Sequence, residues 1–360
     1  MIYQNKMSAD RKAKFSAIKH HPYFGFVIIT FLMLIVQLLR VSGLDIPVAL
    51  LRAFGYTMIY IIIALGFSVL LGYGGMASLG TAGFVGIGTY VVGYFTNQHE
   101  MSIFLIIIIT ILGAIIIGAI VGFISLRIEG MYLAIITLGL SEILNEVFKN
   151  ATTITNGTNG LSLDGIVLFN DAIQVNHNTI FIAIAVIMLF MMIITLNLMK
   201  SPTGRALLAM RNSQSAAQAL GVSIFKYRLL AFITSTVYAL LGGVMYMTYI
   251  GFSIPSSWSL AFSLNILAAV IVGGAQSIYG IVLGTFMIFG LNLAVLQQIP
   301  LFVQNPAISV VFNGLLIIAV IMFYPGGLIR LIGSIGHQIK LKTQQWKKKR
   351  RAYIYGDDPE

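Results

Sequence analysis

Ten apolar runs, each close to the length of a bilayer crossing, leave this chain little choice of solvent. They cover residues 24–41, 50–71, 78–95, 101–126, 131–148, 179–199, 229–250, 259–275, 279–298 and 308–324. A helix needs roughly 20 predominantly apolar residues to span a hydrocarbon core. Of the 360 residues 58% are hydrophobic and only 9% charged, more apolar surface than a soluble fold can hide. The pattern predicts an all-α polytopic membrane protein with about ten (eight to ten) transmembrane helices. The third, eighth and ninth runs are rich in Gly, Ser and Thr, so some of these helices are expected to be broken or re-entrant.

Charge sets the orientation. With the N-terminus inside, ten crossings place 1–23, 127–130, 200–228 and 325–360 in the cytoplasm, and these segments carry 19 of the 22 Lys and Arg residues. Only Arg40, Arg52 and Lys149 lie elsewhere. Cytoplasmic loops concentrate Lys and Arg, so both termini are expected on the cytoplasmic side of the membrane. The expected organisation is a basic cytoplasmic N-terminus (1–23), a transmembrane domain (24–325) with an external loop at 149–178 and a cytoplasmic loop at 200–228, and a basic tail (326–360). The first run lacks a small-residue cleavage site and reads as a retained span. The net charge of +11 therefore points to topology and anionic lipid, not to nucleic acid. Trp346 beside five consecutive cations reads as an interfacial anchor.

Enzyme chemistry finds no footing. The chain has no cysteine, which removes disulfides, thiolate metal sites and thiol nucleophiles. His20, His21, His99, His177 and His337 sit at or beyond span boundaries, with no acid at metal-ligand spacing. No metal and no cofactor are implied. The glycines of 71–95 follow no strand and precede no Walker lysine, so they are not a nucleotide loop. They read as a small-residue face that lets helix backbones touch. A later stretch, VGGAQSIYGIVLGTF (272–286), repeats the Gly-Gly-x-x-Ser order of residues 74–78.

Polar groups at membrane depth are costly and therefore functional candidates. Ser78 and Thr81 lie at one end of the glycine face, Thr137 and Glu142 within 131–148, and Asn265 in the eighth run. These five are the candidate translocation path. Glu142 and Glu146 share a helix face one turn apart, an arrangement that also fits proton coupling.

The loop 200–228, KSPTGRALLAMRNSQSAAQALGVSIFKYR, carries a different signal. Ser201 can cap a helix with Pro202 at its first position, and Gly221 stands where a left-handed helix end would fall. Between them ALLAMRNSQSAAQAL predicts a helix whose alanines leave room for a partner to approach.

Three stretches, taken together, carry a family resemblance. They are IIIALGFSVLLGYGGMASLGTAGFVGIGTYV (61–91), RIEGMYLAIITLGLSEI (127–143) followed by TNGTNGLS (155–162), and SPTGRALLAMRNSQSAAQALGVSIFKYRLLAF (201–232) continuing to IVGGAQSIYG (271–280). In order and spacing they resemble the membrane subunit of branched-chain amino-acid ABC importers, over roughly residues 50–325. Tyr60 stands where that family has Asn. The resemblance implies a permease paired with a second permease subunit, two cytoplasmic ABC ATPases beneath and an extracytoplasmic substrate-binding protein above. It also gives the polar loop a role: Ala216, Ala217 and Gly221 match the Ala-Ala-x-x-x-Gly of a coupling loop, with Gly204, Arg205 and Arg211 on its approach. The family's acidic residue before the alanines is absent, since Gln214 and Ser215 stand there. Other small solutes (urea, an amide, another amino acid) or a stand-alone ion-coupled transporter remain the alternatives.

Overall fold

The computed structural model describes residues 23–43, 47–125, 131–163, 165, 177–323, 326–330 and 346. The expected N-terminal segment up to residue 22, the 126–130 linker and nearly all of the basic tail lie outside these residues. The long helices are α1 (Phe24–Val41), α2 (Val48–Ser68), α3 (Thr81–His99), α4 (Ile103–Ser125), α5 (Met131–Asn150) and α6 (His177–Lys200). Two short helices follow, α7 (Pro202–Asn212) and α8 (Gln214–Ala219), then α9 (Ile224–Ile250), α10 (Leu260–Gly273), α11 (Ile278–Thr285) and α12 (Pro306–Phe323). The chain is an all-α polytopic membrane protein. Among the described residues five segments are long and apolar enough to cross a bilayer, namely Val48–Tyr73, Ile103–Ser125, Asn178–Lys200, Ile224–Ile250 and Ile278–Gln298. Shorter apolar helices cover Phe24–Arg40, Leu260–Gly273 and Ile308–Val320.

The helix α9 is the hub, packed against α2, α3 and α4. Lipid tails are as apolar as leucine, so helices associate through close contact rather than hydrophobic exclusion. Close contact is what the glycines permit. A Cβ at Gly243 would run into the Val85 carbonyl and the Gly88 backbone, and one at Gly88 into the Leu240 carbonyl. Here the backbones of α3 and α9 touch. Gly66 on α2 and Gly118 on α4 admit Tyr238 and Thr236 of α9 in the same way.

Polarity is inverted relative to a soluble bundle. On α5, Leu133, Thr137, Ser141 and Asn145 recur every fourth residue and are all buried, while Tyr132, Ile135 and Ile143 are exposed. On α4, Leu112, Ile116, Ile120 and Ile124 face outward. The polar stripe of α5 faces the bundle and the apolar residues face lipid, as burial in hydrocarbon requires.

Two pairs of helices break where small and polar residues cluster. After α2 the chain makes a π-turn, Val69–Tyr73, and an irregular stretch before α3 begins at Thr81. After α10 it breaks at 274–277, and α11 runs into a second π-turn, Phe286–Gly290. At the opposite end of the bundle the two-residue strands β1 (Leu161–Ser162) and β2 (Phe252–Ser253) pair antiparallel. They join the segment after α5 to the segment after α9.

Candidate functional site

The first region of interest is a cavity of about 300 Å³ lined by Tyr56 and Tyr60 of α2, Tyr246 of α9, Asn265 of α10, Asn292, and Asn313 of α12. Its aromatic wall is continuous. The Tyr60 ring lies 4.3 Å from Phe289, and Tyr56 lies 5.8 Å from Tyr246, centroid to centroid. Asn313 Oδ1 is buried there with no hydrogen-bond partner, an arrangement that ordinarily costs stability unless something else uses the group. The second π-turn supplies Ile288 and Phe289 to the same lining, and π-turns inside α-helices recur at functional sites. The cavity offers aromatic and aliphatic surface beside carboxamides and no charged side chain. That chemistry suits a small apolar group attached to a polar one.

Of the candidate path residues, only Asn265 lines this cavity. Thr137 and two residues outside the candidate path, Ser141 and Ser263, serve the entry to α3. Backbone N–H groups of Leu79, Ala82 and Gly83 donate to Thr137 Oγ1 (2.9 Å), Ser263 Oγ (3.0 Å) and Ser141 Oγ (3.1 Å). The first N–H groups of any helix lack intrahelical partners. These hydroxyls, contributed by α5 and α10, meet that demand in the interior. Ser78 Oγ accepts the Gly80 N–H at 3.3 Å, and Thr81 is buried in the first turn.

Glu142 lies elsewhere. It is exposed on α5 in a shallow depression with Ile143, Glu146, Val147 and Asn150. Glu146 is paired with Lys149 at 2.6 Å. The structure does not bring Glu142 together with Asn265 in one cavity.

The second region is the α7–α8 unit. Ser201 Oγ accepts the Gly204 N–H at 3.4 Å, and Pro202 occupies the first turn, as its sequence position predicts. The single helix expected over ALLAMRNSQSAAQAL is instead two. Ser213 is extended (φ −157°, ψ 113°), and its Oγ accepts the Ala216 N–H at 3.3 Å. A serine hydroxyl offers the backbone an alternative to helix continuation, and here it opens α8. Gly221 closes α8 with φ +79°. Its N–H donates to Gln218 O (2.9 Å) and that of Val222 to Ala217 O (3.0 Å), the paired bonds of a Schellman end.

Burial then sorts the side chains. Leu207, Met210 and Ala217 point into the bundle, while Ala216, Ala219 and Gly221 are exposed. Arg205 Nη1 donates to Lys200 O at 2.9 Å, and Arg211 Nη1 donates to Gly72 O. Leu220, at the tip, is 84% exposed. Sequence reasoning passed over it, although a leucine just before a helix-ending glycine in an otherwise polar loop was the available signal. Asn292 and Asn313 were also missed, and the rule that flagged Asn265, a carboxamide inside an apolar run, applies equally to them.

Residues 49–321 match the family model described as the branched-chain amino acid transport system / permease component. The chain is 32% identical over 255 residues to the high-affinity branched-chain amino acid transport system permease protein LivM of Escherichia coli (strain K12), covering 64% of this chain and 60% of that one. It is 30% identical over 314 residues to the protein of the same name in Salmonella typhimurium, covering 81% of this chain and 72% of the relative. A shorter similarity, 29% over 133 residues, reaches the autoinducer 2 import system permease protein LsrC of Photorhabdus laumondii, with 35% and 38% covered. No solved structure matches this chain.

Proposed function

We propose that this chain, which belongs to the family of branched-chain amino acid transport system permease components, forms one half of the translocation path of an ATP-driven importer for branched-chain amino acids. The observation that carries the reading is the α7–α8 unit. It is a capped, two-helix wedge outside the bundle whose tip exposes one large apolar side chain, Leu220. Such a knob suits a groove on a separate ATPase, because an aliphatic side chain seated in a pocket can anchor an interface. The cavity around Tyr60, Asn265 and Asn313 is the segment of path that this half contributes. Aliphatic substrate side chains fit its aromatic wall, and its carboxamides offer hydrogen bonds to the polar end.

The wedge faces the cytoplasm, in keeping with the distribution of Lys and Arg in the sequence. The partners are a second permease subunit, two ABC ATPases and an extracytoplasmic binding protein. Motion of the ATPases would reach the spans through α6 and α9, which are joined to the wedge in sequence. Co-purification from native membranes, followed by leucine uptake in proteoliposomes with internal ATP, tests the whole reading. A chain that emerges alone and transports under an ion gradient would overturn it.

Two variants bear on parts of the reading. Gly221→Val has open space for its side chain but must hold φ +79°, at a cost of roughly 1–2 kcal/mol for a residue with a Cβ. Uptake is expected to fall by roughly tenfold for that free energy, with the amount of inserted protein unchanged, as read by transport and immunoblot of the same vesicles. Glu142→Gln is expected to leave uptake within about twofold of the parent, because an exposed carboxylate outside the cavity carries little net energy. Abolished uptake with normal insertion would instead favour ion coupling.

A further inference from the structure

The two Gly-Gly-x-x-Ser segments, 74–78 and 273–277, are far apart in sequence, yet the breaks that contain them meet at the α7 end of the bundle. The Gly72 carbonyl, set free at the end of the first π-turn, accepts from Gln276 Nε2 at 3.2 Å and from the Arg211 guanidinium. Tyr73 Oη donates to Gln276 O at 2.7 Å. A Cβ on Gly72 would collide with the Ala275 carbonyl, so the two breaks touch backbone to backbone. The aliphatic part of Arg211 lies over Gly75, its Cγ 3.0 Å from where a Cβ would stand. A cavity of about 650 Å³ opens beside this junction and reaches Arg330.

Both backbone breaks of the junction continue into walls of the Tyr60–Asn265 cavity. Gly72 lies in the last turn of the helical run that carries Tyr56 and Tyr60, about 18 Å from Tyr60 at 1.5 Å per residue. Gln276 joins α10, with Asn265, to α11 and its π-turn. Arg211 belongs to neither. It sits in the last turn of α7 and is the α7 side chain that bonds to the junction. A carbonyl shared by a cation and a carboxamide holds three elements in one arrangement, and such bonds are stronger than neutral ones.

We propose that the Gly72–Tyr73 and Ala275–Gln276 segments form the gate at the cytoplasmic end of the path, and that Arg211 is the positioning residue that latches it to the coupling wedge. This deepens, and rests on, the reading of the cavity as a translocation path. Displacement of α7 would withdraw the guanidinium from Gly72 O, leaving the two breaks held to each other by the Gln276–Gly72 and Tyr73–Gln276 bonds and no longer tied to the wedge. Movement of the wedge is thereby converted into opening of the gate.

The absence of native cysteine makes the test clean. The pair Leu71→Cys/Ala275→Cys brackets the junction, and Ser162→Cys/Phe252→Cys, directly opposed in the β1–β2 ladder, reports intact folding at the other end. Both are cross-linked with a short bifunctional methanethiosulfonate in membranes that hold the full complex. Arg211→Ala is expected to slow junction cross-linking by about tenfold, the population shift of one charge-assisted hydrogen bond, and to leave the control pair unchanged. Arg211→Lys should recover part of the rate. In the same membranes fewer substrate molecules should enter per ATP hydrolysed in Arg211→Ala than in the parent. Junction cross-linking that is indifferent to Arg211, with the control intact, overturns the latch and leaves the importer reading standing. Loss of both cross-links marks Arg211 as a folding residue and also overturns it. Failure to recover ATPases would sink the importer reading separately, and the cross-linking comparison would still decide the latch.

Discussion

Leu220→Glu is expected to weaken the association of this chain with its ATPase by about thirtyfold or more, the equivalent of losing one interface hot spot of about 2 kcal/mol. The reasoning starts from exposure. A leucine that is 84% exposed at the tip of a capped helix gives the isolated chain nothing in stability, and burying it elsewhere stabilises by about 1.5–3 kcal/mol. Glutamate cannot enter an apolar groove without losing its hydration, so the substitution removes the attraction and adds a penalty. The chain itself should tolerate the change, because Leu220 touches no core and the Schellman bonds at Gly221 and Val222 are made by the backbone. Titrating purified ATPase against the solubilised permease measures the affinity, and uptake in vesicles should fall in parallel. Leu220→Ala should give a smaller loss. Unchanged affinity in both variants would remove the wedge tip from the contact and with it the main support for the coupling reading.

Ala217 illustrates why such a site is only half visible in sequence. The Ala-Ala pattern and the helix-ending glycine were legible, since capping and left-handed ends depend on neighbouring residues alone. Which alanine faces the partner was not, because it depends on how α8 leans on the bundle. Ala217 turns inward and Ala216 outward. The split of the expected helix at Ser213 has the same origin: serine is tolerated within helices and favoured at caps, and tertiary packing decides between them.

Several of the apolar runs were legible to within a few residues, although the run 279–298 is broken and 229–250 begins earlier, at Ile224. The run 24–41 is α1, and 131–148 becomes Met131–Asn150, because length and apolarity suffice to mark a helix in lipid. Facing was harder. On α5 the buried stripe of Thr137, Ser141 and Asn145 is more polar than the exposed side, so the usual rule of burying the apolar face points the wrong way. Glu142 is one position off that stripe and therefore outside it. Thr137 drew attention as a polar group at depth, and its task is to satisfy the start of α3. Asn265 drew attention for the same reason, and it lines a cavity. The sequence presents these two residues identically. Only the position of the next helix distinguishes a capping hydroxyl from a cavity amide.

The glycine-rich face poses the same ambiguity, and Gly88→Val resolves it with the second large effect expected here. A Cβ at Gly88 meets the Leu240 carbonyl, and the Gly243 backbone lies against α3 at the same point. Neither obstacle is a flexible side-chain end. Valine adds two further methyl groups that α9 cannot accommodate without moving away from α3. Because α9 is also packed against α2 and α4, that shift would disturb the hub of the bundle. Overpacking a close-packed interior usually costs 1–3 kcal/mol, and more where backbone must move; in a membrane protein of ordinary marginal stability this is enough to deplete the folded state. The expected result is loss of most detergent-extractable, monodisperse protein and a lower unfolding temperature in what remains, measured by fluorescence-detected size exclusion after a heat ramp. Gly139→Ala on α5, where an added Cβ meets nothing, should behave like the parent in the same assay. If Gly88→Val instead extracts and melts normally while transport stops, the glycines serve passage of substrate rather than contact between helices. The backbone approach of α3 and α9 would then need another explanation than packing.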